Sequence, residues 1–94
     1  MANRSRLTED QVSDRLMAVP HWSRAGDSIV RTFESPSFMD GIAFVHRVAD
    51  IAEARDHHPD IDIRYTRVTL TLSTHDRGGL TALDFDVAEA VDAL

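Results

Sequence analysis

Apolar positions in this chain alternate between two spacings, and each change of spacing marks an element. Val12, Leu16 and Val19 recur at helical spacing, which predicts a helix over residues 9–18 that ends near Pro20. Thr8 precedes it with Gln11 three residues on, the pair that satisfies a helix start reciprocally, and Leu7 and Val12 stand at staple spacing across that cap. Ser37 with Asp40 opens the longest periodic stretch, 38–55, in which Ile42, Val45, Val48, Ala49 and Ala52 make a stripe that Phe38, Phe44 and Ile51 widen. A face so broad calls for cover on two sides. Thr81 with Asp84, stapled by Leu80 and Phe85, opens a C-terminal helix carrying Leu83, Val87, Ala90, Val91 and Leu94.

Between these helices the period falls to two. Ile29, Arg31 and Phe33 oppose Val30 and Thr32, so 28–34 reads as a strand; the turn signal Gly26-Asp27 gives it a short partner at His21-Trp22-Ser23. Ile61, Ile63 and Tyr65 alternate with Asp62 and Arg64, and Val68, Leu70 and Leu72 alternate with Thr69, Thr71 and Ser73. The order α-β-β-α-β-β-α predicts an α+β fold, a four-stranded antiparallel sheet with three helices packed on one face.

At 94 residues the chain is expected to be a single domain, 1–94. A hydrophobic content of 43% with 28% charged residues fits a globular protein. The absence of cysteine removes disulfides and thiolate metal sites together. A net charge of -6 with scattered basic residues argues against direct binding to nucleic acid. No apolar run reaches the ~18 residues of a membrane span, and Met1-Ala2-Asn3-Arg4-Ser5-Arg6 leads into polar sequence, so no membrane association and a cytoplasmic location are expected.

The candidate chemistry is histidine. Three of the 5 histidines fall in two clusters, Asp56-His57-His58-Pro59-Asp60 and Ser73-Thr74-His75-Asp76, each where a regular element ends. Pro59 is expected to stop the long helix, because the residue before a proline avoids the helical region. If that helix runs on to His57, Glu53 stands one turn before it and its carboxylate favours the charged imidazole. The plainer account is that histidines at a helix end merely suit the negative end of its dipole. A metal held by His57, His58 and His75 with Asp60 or Asp76 is disfavoured, since adjacent histidines diverge whereas chelating pairs usually stand three or four apart.

Glu53, His57-His58-Pro59-Asp60, Tyr65, Val68, Leu70-Thr71-Leu72-Ser73-Thr74-His75, Gly79-Leu80 and Asp84 resemble the pterin-4a-carbinolamine dehydratase family in identity and spacing. The resemblance covers about residues 20–94 and is densest over 53–84. It implies the sheet-and-helix fold already read from periodicity. It also implies a dehydratase in pterin recycling that takes water from a 4a-hydroxytetrahydropterin and uses no cofactor or metal.

By position, the resemblance assigns catalysis to His57, His58 and His75. His57 and His75 are then the acid candidates, and His58 positions the ring and assists proton removal. Substrate binding falls to Glu53, Asp56, Pro59, Asp60, Ser73, Thr74, Asp76 and Asp84, with Ser73, Thr74 and Asp76 as polar contacts and Glu53 and Asp84 in support. Asp84 is equally explained as a helix cap, and Trp22 as a core or interface residue. Many relatives carry Trp where this chain has Ile61, a loss that would weaken stacking on a flat substrate. The family also implies a homodimer or homotetramer, for which the apolar face of 38–55 and the edge of the last strand are the expected surfaces. The competing role is a dimerisation or transcriptional co-regulator module of the same fold.

Overall fold

The structure, a computed structural model, describes residues 5–94. Its elements are α1 (Glu9–Leu16), β1 (Ser23–Ala25), β2 (Ser28–Glu34), α2 (Phe38–Arg55), β3 (Asp60–Arg64), β4 (Arg67–Leu72), a 3₁₀ turn (His75–Arg77) and α3 (Ala82–Asp92). The four strands form one antiparallel sheet in the order β1-β2-β4-β3.

Strand alternation decides which side the helices cover. Ile29 lies opposite Leu72, Phe33 opposite Val68, and Leu70 between Arg31 and Ile61. This face joins Val12, Val48, Phe85, Val87 and Val91 in one core cluster. The other face carries Thr32, Thr69, Asp60 and Asp62, with the Thr32 and Thr69 hydroxyls 2.8 Å apart across the strands. Polar residues there keep it compatible with water.

The caps form largely as the sequence predicts. Thr8 with Gln11 and Thr81 with Asp84 make reciprocal boxes, whereas the Ser37 hydroxyl both accepts from the Asp40 amide and donates to its carboxylate. α1 is two residues shorter than expected. Beyond Leu16 the amides of Ala18 and Val19 bond to carbonyls three residues back, tightening the chain so that Val19 reaches the core. The first strand also begins later, at Ser23 rather than His21. Trp22 is drawn inward, its Nε1–H donating to Asp92 at 2.8 Å, and Arg31 donates to the same carboxylate at 2.7 Å.

α2 packs against both β4 and α3, the two-sided cover its broad face requires, although Phe38 and Ala49 stay exposed. The last strand, β4, is not an edge. It is paired on both sides, so the free edges belong to β1 and β3. The hairpin that brings β4 back lets it insert between β2 and β3, the only place where Val68, Leu70 and Leu72 are covered by neighbours on either side. On β3 the helix-facing Ile61 and Ile63 remain 38% and 39% exposed.

Phe85 is the largest fully buried side chain, and Arg15 lies over its ring with the guanidinium carbon 5.3 Å from the centroid. Truncation would leave a cavity among side chains that cannot collapse into it. Phe85→Ala is expected to cost about 3–5 kcal/mol, read in urea denaturation as a lower midpoint with an unchanged slope.

Candidate active site

Three chain segments meet where α2 ends, β4 ends and α3 begins. The first is set by how α2 stops. Asp56 takes the left-handed conformation (φ 48, ψ 44) while its amide bonds to the Glu53 carbonyl and the His57 amide to the Ala52 carbonyl. This Schellman closure ends the helix three residues before Pro59, so the proline is not what stops it. His57 therefore does not continue the helix, and the expected Glu53–His57 pair does not form. The reversal turns the His57 ring inward, and it is His58 whose Nε2 lies 2.5 Å from the Glu53 carboxylate, at the surface.

The second segment follows β4. Thr74 and Gly79 pair through both backbone groups, Arg77 and Gly78 donate to the carbonyls of Thr74 and His75, and Gly78 has φ +68, a conformation that favours glycine. The closed loop carries His75 and Asp76, both exposed, at its tip.

Asp84, on the first turn of α3, joins the segments. It is 0% exposed. Its Oδ2 accepts from the Thr81 amide at 3.0 Å and the Thr74 hydroxyl at 2.9 Å, and its Oδ1 lies 2.6 Å from His57 Nε2. A buried carboxylate is tolerable because each oxygen meets a donor.

In front of this knot lies a cleft of about 310 Å³ lined by Asp56, His57, His58, Ser73, Thr74, His75 and Asp76. All three candidate catalytic histidines thus border one hollow. Of the remaining expected contacts, Glu53, Pro59, Asp60 and Asp84 do not line it. Glu53 braces His58, Asp84 stands behind His57, and Asp60 begins β3 opposite Thr71 on the solvent-facing side of the sheet. Thr74 borders the cleft while its hydroxyl bonds inward. Ile61, where many relatives carry Trp, pairs with Leu70 and does not itself line the cleft. Among the described residues no three His, Asp or Glu side chains are grouped to hold a metal ion.

The sequence profile of the Pterin 4 alpha carbinolamine dehydratase family matches residues 5–94. This chain belongs to that family. A protein of Roseiflexus sp. (strain RS-1) that carries the dehydratase name provisionally is 51% identical over 90 residues, 96% of this chain and 97% of its own length. The crystal structure of a transcriptional coactivator/pterin dehydratase from Brucella melitensis superposes with a TM-score of 0.90 at 35% identity, covering 95% of this chain and 97% of that one. A pterin dehydratase-like protein identified as a RuBisCO assembly factor in the alpha-carboxysome is more distant, with a TM-score of 0.63, 25% identity and coverage of 77% and 83%.

One residue of this dehydratase-family site escaped the sequence reading. Thr81 was legible only as a cap, yet its hydroxyl also lies 2.9 Å from that of Thr74. The signal was present in the Thr81–Asp84 capping box, which commits one carboxylate oxygen to the helix start and leaves the other to face a partner. Asp84→Ala strips an acceptor from His57, Thr74 and Thr81 at once. It is expected to destabilise the fold by several kcal/mol, since each buried donor left without its acceptor costs about 1–3 kcal/mol, measured by thermal and urea unfolding.

Proposed function

We propose that residues 1–94 act as one cytoplasmic dehydratase domain that removes water from a 4a-hydroxytetrahydropterin to give the quinonoid dihydropterin, in support of pterin recycling. The observation that carries the reading is the meeting of His57, His58 and His75, from two segments remote in the chain, around a cleft of about 310 Å³. That volume is at the small end of ligand pockets and suits a flat bicyclic ring.

The reaction needs a proton delivered to the leaving C4a oxygen and a proton taken from a ring N–H, so that water departs and a C=N bond forms with no net change in protons on the protein. Imidazoles suit both tasks because they gain and lose a proton near neutral pH. His57 and His75 face the cleft from opposite segments and serve as the acid candidates. His58, held by Glu53 at the rim, positions the ring and assists proton removal, while Ser73 and Asp76 offer polar contacts.

The domain works as at least a homodimer. β3 has an unpaired edge, and antiparallel pairing of two copies of Asp60–Arg64 about Asp62 sets Asp60 against Arg64 and Ile61 against Ile63. Asp60 meets Arg64 at both ends and the exposed isoleucines are covered, while the two Asp62 carboxylates that face each other at the centre each keep their own Arg64 as a partner. The second reading, an assembly or co-regulator module, draws on the same edge and on the assembly role of the RuBisCO-associated relative. It uses surfaces other than the cleft, so one chain has room for both.

A 4a-hydroxytetrahydropterin generated in place and followed by ultraviolet absorbance tests the enzyme directly. Dehydration is expected to accelerate, and His57→Ala and His75→Ala are each expected to lower turnover roughly 10²-fold; a flat trace with the wild type moves the function to the module. Light scattering at micromolar concentration is expected to return at least twice the 10.5 kDa of one chain, and a monomer mass would remove the β3 pairing.

A further inference from the structure

The hydrogen bonds behind His57 have a forced direction. An ionised carboxylate only accepts, and a threonine hydroxyl has one proton to give. Thr74 Oγ1 lies 2.9 Å from Asp84 Oδ2 and 2.9 Å from Thr81 Oγ1. Its single proton goes to the carboxylate, so the Thr81 hydroxyl must donate to Thr74 while accepting from the Leu83 amide at 3.3 Å. With Oδ2 engaged by Thr74 and by the Thr81 amide, Oδ1 is left for His57 Nε2 at 2.6 Å. Thr74, Thr81 and Asp84 are 1%, 0% and 0% exposed, so water does not offer an alternative arrangement.

We propose that Asp84, held by Thr81 and Thr74 as positioning residues with its Oδ1 toward the ring, fixes neutral His57 as the Nε2–H tautomer and makes Nδ1 the atom that exchanges protons with a ligand in the cleft. Nε2 is committed to Asp84, which leaves Nδ1 as the other ring nitrogen of a residue that lines the cleft. A neutral imidazole has one accepting nitrogen, so this assignment also sets where a bound substrate's N–H or O–H must lie. The kinetic consequence rests on the dehydratase reading; the tautomer does not.

Imidazole ¹H–¹⁵N spectra of the full chain without substrate, at about pH 9 where a free imidazole is neutral, read the tautomer directly. The wild type is expected as Nε2–H. In Asp84→Asn the donors from Thr74 and Thr81 claim the amide oxygen, which turns the NH₂ toward His57; Nε2 must then accept, and the spectrum is expected to switch to Nδ1–H with turnover lower by at least roughly 10²-fold. Thr74→Val leaves the carboxylate an acceptor, so Nε2–H is expected to persist while a less firmly held Asp84 lowers kcat roughly tenfold with KM changed by less than about twofold, and Thr74→Ser is expected to restore kcat. A wild-type Nδ1–H spectrum, an unswitched Asp84→Asn, or a Thr74→Val with wild-type kcat would each overturn the proposal. Should Thr74→Val fail to fold, the wild-type and Asp84→Asn spectra decide alone. A tautomer that switches in a protein with no dehydratase activity keeps the positioning chain and sinks the dehydratase reading instead.

Discussion

The site depends on one buried anion. A carboxylate withdrawn from water is strongly unfavourable unless donors replace its solvent, and Asp84 finds them in three segments that are separate along the chain: His57 after α2, Thr74 after β4 and Thr81 before α3. Any displacement of one segment leaves a donor or an acceptor unmet. The requirement therefore works as a geometric constraint, holding the histidine at the end of a helix against the loop at the end of a strand. The apolar core brings these ends close; the carboxylate sets their relative positions.

The same arrangement divides the three histidines by environment. His57 is 7% exposed with a buried acidic partner, His58 sits at the rim against an exposed Glu53, and His75 projects from a loop closed by Gly78. Side chains of one chemical type are thereby given different freedom and different neighbours. The proposed dehydration, which needs one proton delivered and one removed, would gain from such inequality, because identical imidazoles in identical settings would compete for the same role.

Cleft and sheet edge are distinct surfaces. The cleft opens between the α2 end and the β4 loop, whereas the unpaired edge of β3 carries its apolar pair, Ile61 and Ile63, away from it. A Brucella protein of this fold is described as a transcriptional coactivator/pterin dehydratase and a more distant one as a RuBisCO assembly factor, so the fold by itself does not fix a single role.

The sequence by itself determined the elements. Local periodicity and capping chemistry act over three or four residues, so α2 and β2 appear with the bounds the pattern predicts, and both Thr boxes form. It also marked the histidine clusters and, by resemblance, the family. Tertiary structure alone decided that β4 is interior, because strand order depends on which partners cover its apolar side chains, and alternation within one strand carries no such information. It likewise decided that Glu53 serves His58 and that Asp84 serves His57. The left-handed turn at Asp56 reverses a ring that helical spacing would have aimed at Glu53, and the acceptor it meets lies 27 residues further along the chain, beyond the reach of any local rule.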